Sequence, residues 1–506
     1  MSDHVRNRLV RSLGKYLIAL LFWLGFARGL APELIQRVIA GQVPGVPARV
    51  TVLLKGRSPE SILSHWRVRS DGLACSLLAH WIISAALLKT GRETCAGDDK
   101  ARRDRLVWIA SAAFMAVACL SGTRHDYWSY AEIWKYVISG RDPWGGRVED
   151  FTFNAYGPLF NALAVPASVA LLLPKVLFCL THSLCAIAFL RAAERATRAL
   201  QGRHLWVPWV VVGFFWSPFF WCEIAWCGNF DILVGTLTLA AVVNACREHG
   251  ARSGAFLSAG ILLKYYPCTL LPFLVTQPRA FRWRIAATAA ALTVTGLAAS
   301  LLIWGSSTFK PLTFGVERPS KFLSVFAFLR GPYSLLRLWI PEPNVDWLSL
   351  PLMAVVILTI LAISLARRID LPSASLAAMT ATLACYKVGH TQYQMTLFLL
   401  AALWYQESRH RDLGRFRFSW PVAAYLSWIT AWEILWLVYT DLGAFAGLFS
   451  IVSGLAGIIT FAMATNMICY LVIFMPTSEA SQWSSTGARE RRPCESMAHI
   501  AGWSFE

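Results

Sequence analysis

The stretch Leu106–Gly146, "LVWIASAAFMAVACLSGTRHDYWSYAEIWKYVISGRDPWGG", decides how this chain is read. Its first seventeen residues are almost wholly apolar, about the length a helix needs to cross a bilayer. Its second half is aromatic and carries three acidic side chains, starting with Asp126. Asp126 to Ser139 reads as a second helix, with an acid side chain at its positive end. Gly140 ends it, followed by Asp142-Pro143. Tyr130, Trp134 and Val137 share a face, while Glu132 and Lys135 pair on the wet side. Tyr127, Trp128 and Tyr136 add ring surface, the pattern of an amphipathic helix in the headgroup layer.

The rest of the chain repeats the first half of that pattern. Of 506 residues, 56% are hydrophobic and only 15% charged, whereas a soluble domain is about one-quarter charged. Apolar runs fall near 13–30, 72–88, 106–122, 174–190, 206–222, 230–246, 285–304, 351–366, 373–388, 391–405, 420–438 and 446–474. They are continuous rather than alternating, so helices are expected and a barrel is not. The fold class is all-α: a polytopic membrane protein of about twelve crossings, with the amphipathic helix in an external loop after 106–122. The start, "MSDHVRNRLVRSLGKYLIALLFWLGFARGL", reads as a retained first crossing rather than a cleaved leader.

The formal net charge is +18, yet this does not indicate nucleic acid. The cations sit in short loops such as "KTGRETCAGDDKARRDR", "RAAERATRALQGRH" and "ESRHRDLGRFRF", the signature of cytoplasmic loops. The segment 31–70 breaks that rule, carrying Arg37, Arg49, Lys55, Arg57, Arg67 and Arg69 where it should be external. The run 254–276 has basic flanks on both sides and Lys-Tyr-Tyr-Pro in its middle, which fits a pair of half-helices. The twelve cysteines show no paired metal-ligand spacing, and Cys222 and Cys227 read as small buried thiols rather than a disulfide.

With this topology, the polar oddities converge on the outer face. "FNAYGPLFN" (Phe153–Asn161) bends the chain back toward the membrane at Tyr156-Gly157-Pro158. "CGNFDILVGTL" sets Asn229 and Asp231 at the head of an apolar helix. "GILLKYYP" puts Lys264 inside an apolar run, where a charge costs roughly 2.5–3.5 kcal/mol on insertion scales unless it faces a partner or a cavity. Each has a plainer reading: Asp126, Asp231 and His390 as helix caps, and Lys264 as a long stem reaching the headgroups.

Taken in order, "DYWSYAEIWKYVISGRDPW", "YGPLFN", "GNFD", "LKYYP" and "HTQYQ" resemble membrane glycosyltransferases of the C superfamily (GT-C). They are most similar to the catalytic subunit of the first mannosyltransferase of glycosylphosphatidylinositol-anchor assembly and to the family-87 bacterial transferases. The resemblance runs from about Leu106 to Tyr405. The chain then divides into an N-terminal membrane extension of unassigned topology (1–105) and a basic, disordered cytoplasmic tail (476–506), both outside the resemblance, flanking a GT-C-like catalytic domain (106–475). The resemblance implies a catalytic carboxylate in the first external loop, a polyprenyl-phosphate sugar donor, and a glycolipid or glycan acceptor on the extracytoplasmic face. A small membrane subunit is the further partner it suggests.

The mannosyltransferase loop has Asp-x-Asp before a tyrosine. Here the matching residues are Arg124-His125-Asp126-Tyr127, and one carboxylate beside an arginine is a poor divalent-cation site. A divalent cation is therefore a doubtful cofactor, none other is called for, and no metal ligand is assigned. A polyprenyl phosphate leaves as a stable anion, so one base suffices: Asp126, taking the acceptor proton in an inverting displacement. Lys264 and His390, backed by Arg124 and Arg318, are candidates to meet the leaving phosphate. Tyr127, Glu132, Tyr156, Asn229, Asp231, Tyr266 and Gln392 complete the candidate substrate-binding set. The rival readings are a membrane O-acyltransferase built on His390, a lipid-linked-sugar flippase, and a non-catalytic membrane scaffold. A nucleotide-sugar donor lacks the glycine-rich phosphate loop it would need.

Overall fold

A computed structural model describes residues 99–123, 126–146, 153–199, 211, 213–277, 280–331, 334, 344–411, 419–439 and 446–474. Arg124, the crossings expected near 13–30 and 72–88, and the tail 476–506 lie outside the described residues. Within them the chain is almost entirely helical. The main helices are α1 (Asp99–Ser121), α2 (Asp126–Ile138), α3 (Leu173–Ala199), α4 (Asp231–Cys246), α5 (Gly250–Leu263) and α6 (Trp283–Trp304). They continue as α7 (Ser349–Arg367), α8 (Leu371–Cys385), α9 (Met395–Arg411), α10 (Trp420–Tyr439) and α11 (Ala446–Cys469).

Four described helices are long and apolar enough to cross a bilayer, or up to six if each of two bent pairs is one span. The runs near 13–30 and 72–88 lie outside that count, and among the described residues α8, on the run 373–388, is an apolar helix of another kind. Its 15 residues are all buried, and it rises only about 22 Å, short of a roughly 30 Å hydrocarbon layer. It is a core helix rich in Ala, Ser and Thr, whose small side chains let α7, α9 and α11 approach closely. Thr380 and Thr382 return their hydroxyls to Leu376 O (2.7 Å) and Ala378 O (2.8 Å), so neither hydroxyl is stranded there. α6 is the opposite case. Leu292, Val294, Leu301, Leu302 and Ile303 are exposed along it, a surface that suits lipid as the surrounding solvent.

Three breaks in the helices position the polar residues. Residues Gly213–Trp226 and α4 form one bent pair, turning by 119°. The turn runs through a π-helical stretch, Trp221–Trp226, and Gly228, whose φ of 73° places it in the left-handed region that glycine tolerates. The run 254–276 is broken where the sequence predicts it. α5 stops at Lys264, which is extended, and a 3-10 stretch Tyr266–Leu270 and a short helix Leu271–Val275 come next, with Pro267 at the break. The third break separates α8 from α9. There Val388–Gly389 pairs in parallel with Lys321–Phe322, far away in sequence.

The core is aromatic. Trp134, Trp144, Trp216, Trp221 and Trp432 are fully buried, with Tyr127, Tyr130 and Phe160 beside them. α1 packs on α3 and on the π-helical turn, so the segment leading to Asp126 is held from two sides. Cys222 and Cys227 are buried thiols and form no disulfide, as their apolar setting suggests.

Candidate active site

Asp126 is the first residue of α2 and is exposed, while Tyr127, Tyr130 and Trp134 on the same helix are buried. Its charge acts on Tyr130, Tyr156 and Lys264, which come from three distant segments. The helix therefore keeps its acid exposed while burying the rings beside it. Glu132 and Lys135, three residues apart, pair at 2.6 Å on the outer side, as the sequence predicts. Glu132 is thus held by a partner of its own.

The Tyr156-Gly157-Pro158 bend brings the second segment in. Gly157 donates its N–H to Leu263 O (3.1 Å), one residue before Lys264. A Cβ at Gly157 would lie 2.2 Å from Leu262 O, so only glycine permits this approach. Tyr156 then stacks edge-on against Tyr130 (5.5 Å) and Phe230 (4.8 Å), and its hydroxyl lies 3.4 Å from that of Tyr130. Tyr130 donates to Asn229 Oδ1 at 3.1 Å. Asn229 in turn donates Nδ2 to Glu223. Burial above all, and then the Asp126 charge, push the Tyr156 phenol up, so it stays a neutral hydroxyl.

Lys264 is not a free cation. Its Nζ lies 2.6 Å from Asp231 Oδ1, and both side chains are buried. Rings surround the ammonium: Tyr393 at 3.9 Å from its centre, Phe230 at 5.1 Å and Tyr156 at 5.4 Å. That arrangement offsets the desolvation of both charges. The cap reading of Asp231 gives way to this pair, and its Oδ2 is buried without a hydrogen-bond partner among the described residues. Gln392 Oε1 is in the same condition. Tyr266 shares a 2.7 Å hydrogen bond with Thr396 Oγ1 on α9.

Arg318 and His390 are brought together by the parallel pairing of Lys321–Phe322 with Val388–Gly389. Arg318 Nη2 lies 3.0 Å from His390 Nε2. A guanidinium only donates, so Nε2 must accept and the ring proton sits on Nδ1. Burial first, then the charges of Arg318, Lys264 and Lys321, hold this imidazole well below its usual range. His390 is therefore neutral, and its side chain does not cap the helical turn after it. The expected division of labour shifts. Lys264 is paired with Asp231, His390 is an uncharged ring with its proton on Nδ1, and Arg318, with Lys321 near it, carries positive charge at this edge.

Asp126, Tyr156, Asn229, Asp231, Lys264, Arg318 and His390 thus form one constellation, whereas Glu132 and Tyr127 do not join it. The Tyr127 hydroxyl donates to Leu171 O at 2.7 Å, behind the helix. Among the described residues, no three His, Cys, Asp or Glu side chains are grouped to hold a metal ion. Sequence reasoning passed over Glu223 and Tyr393. Glu223 carried the same signal as Lys264, an ionisable residue in an apolar run. Tyr393 lies inside the quoted "HTQYQ", where an aromatic residue in an apolar chain gives no signal of its own.

The family model described as "Glycosyltransferase family 87" matches residues 153–387. No curated protein matches the chain. The matched segment includes Tyr156, Asn229, Asp231, Lys264, Tyr266 and Arg318, with Asp126 and His390 beyond its two ends. The match supports a membrane glycosyltransferase family and glycosyltransferase activity.

Proposed function

We propose that the chain transfers a hexose, mannose by resemblance, from a polyprenyl-phosphate donor to a glycolipid or glycan acceptor on the extracytoplasmic face. The observation that carries this reading is the convergence of an exposed carboxylate, Asp126, and the Arg318–His390 pair on Tyr156 and the ring-enclosed Lys264. An acidic group at one side and a positive group at the other suit a displacement that removes a proton and releases a phosphate.

In this reading the Asp126 carboxylate takes the acceptor hydroxyl proton as that oxygen attacks the anomeric carbon. The bond from C1 to the phosphate oxygen breaks in the same step, and the configuration inverts. No general acid is needed, because the polyprenyl phosphate departs as an anion. Arg318 faces the growing phosphate charge and His390 Nδ1–H adds a neutral donor. The partnerless Asp231 Oδ2 and Gln392 Oε1 provide acceptors for sugar hydroxyls, and Tyr156 and Tyr393 provide ring surface. The lipid tail lies along the apolar exterior that α6 typifies.

The test is incubation of membranes containing the chain with radiolabelled polyprenyl-phosphate mannose, glucose and arabinofuranose in parallel. Label moving from the mannose donor alone into a glycolipid or glycan supports the reading. Label moving from another donor replaces mannose, and label staying on every donor while acyl groups transfer would favour an acyltransferase built on His390.

A further inference from the structure

Lys175 lies in the first turn of α3 and is fully buried, yet it belongs to none of the groups above. Its ammonium donates to Ser121 Oγ, Gly122 O (3.2 Å) and Trp226 O (2.9 Å). These acceptors have a common character. Ser121 and Gly122 close the C-terminal end of α1, and Trp226 closes the π-helical turn Trp221–Trp226. Helix C-termini carry partial negative charge from unsatisfied carbonyls, so a cation there is favoured without needing a carboxylate. One lysine therefore ties together two helix ends.

Both helix ends lead directly into the site. Four residues after Gly122 comes Asp126, and three and five residues after Trp226 come Asn229 and Asp231. Lys175 also grips the far side of Asp126. Its backbone N–H donates to the Tyr127 hydroxyl (3.3 Å), and its Nζ lies 5.4 Å from the Tyr127 ring centre. The fit is closed by Gly228. A Cβ there would stand 2.8 Å from the Tyr127 ring and 2.9 Å from Lys175 Cε. Ser121 Oγ also lies within hydrogen-bond reach of both Ala118 O (3.0 Å) in its own helix and Ala225 O (3.1 Å), sharing its one proton between them.

We infer that Lys175 is a positioning residue: it fixes Asp126 relative to Asn229 and Asp231 by pinning the residues on both sides of Asp126 to the turn before Asn229. The inference rests on Asp126 being the base, and it acts only through that carboxylate. A base displaced by about 1 Å costs on the order of 10²-fold in rate while leaving substrate binding largely intact. Arginine, which carries the same charge with more donors, holds the same carbonyls more closely than an apolar replacement does.

The experiment compares wild type, Lys175→Met, Lys175→Arg, Ser121→Ala, Asp126→Asn and the Lys175→Met/Asp126→Asn double variant. Transfer from radiolabelled polyprenyl-phosphate mannose in membranes gives kcat and KM. Amide exchange of the purified proteins gives a readout independent of activity. In Lys175→Met, exchange should rise at residues 126–130 and 226–231 and stay unchanged in α8. Its kcat should fall about 10- to 100-fold with donor KM within about 3-fold, and Lys175→Arg should recover most of the loss. Adding Lys175→Met to Asp126→Asn should cost nothing further.

Full kcat and unchanged exchange in Lys175→Met overturn the inference, as does a loss that multiplies undiminished onto Asp126→Asn. Should Lys175→Met fail to fold, Ser121→Ala decides. It removes one of the three acceptors, and it must raise exchange at 126–130 and lower kcat, or the inference fails. Asp126→Asn at wild-type turnover, with exchange changed as expected in Lys175→Met, locates the failure in the base assignment instead.

Discussion

Arg318 Nη2 and His390 Nε2 meet at 3.0 Å although they lie 72 positions apart, and this contact sets which ring nitrogen of His390 carries its proton. The arginine cannot accept, so the histidine is neutral at Nε2 and points its proton elsewhere through Nδ1. If Arg318 faces the leaving phosphate as proposed, Arg318→Gln should lower kcat about 10²- to 10³-fold. Arg318→Lys should recover only part, because an ammonium does not reproduce the fork geometry. Steady-state transfer rates at matched protein amounts provide the check, and wild-type rates in Arg318→Gln contradict the assignment.

The same contact makes an acid-side stability prediction. The His390 pKa is held below its unfolded value, so the unfolded chain binds more protons once the pH falls below the ordinary imidazole range, about 6.5. The stability linked to this group is fully present above that pH and is lost progressively as pH falls toward the folded value. Melting temperature in detergent should drop between about pH 7.5 and pH 5. His390→Asn should show a shallower drop, and parallel slopes for the two proteins refute the linkage.

Lys264 and Asp231 form a buried pair at 2.6 Å, so removing either one strands the other. Lys264→Met should destabilise the protein by about 3–5 kcal/mol, as breaking a buried pair does. Lys264→Met combined with Asp231→Leu should regain much of that stability but not sugar transfer. Thermal or denaturant unfolding in micelles reports the first effect. Equal destabilisation by the single and double variants would mean that the pair is not coupled.

Gly157→Ala places a methyl group 2.2 Å from Leu262 O, which must separate the Tyr156 bend from the end of α5. Donor KM should rise and kcat fall together, because Tyr156 and Lys264 move apart. Gly140→Ala, where a Cβ meets nothing within 4 Å but φ is 70°, serves as a backbone-strain control. Kinetics for the two variants that cannot be told apart point to general strain rather than to the Tyr156–Lys264 contact.

Much of the site was legible because polar residues are conspicuous in an apolar chain. Asp126, Asn229, Asp231 and Lys264 each stood out as a side chain that lipid does not accommodate alone. Their pairing was not legible: Lys264 meets Asp231 across 33 residues, and Arg318 meets His390 across two strands of two residues each. Lys175 carried the same signal as Lys264, yet at the start of an apolar run a lysine reads as an ordinary flank. Helix positions from α3 to α11 followed the apolar runs closely. The number of crossings is less legible, since an apolar run of 15 residues is the same string whether it faces lipid or, like α8, lies buried among other helices.

The account turns on Asp126, and the most direct measurement is the rate of sugar transfer from polyprenyl-phosphate mannose by Asp126→Asn beside wild type, at equal amounts of folded protein. Asparagine keeps the size and the hydrogen-bonding oxygen but cannot take a proton. Turnover should fall about 10²- to 10⁴-fold with donor KM changed by no more than a few-fold. An Asp126→Asn protein that transfers mannose at the wild-type rate would contradict the account.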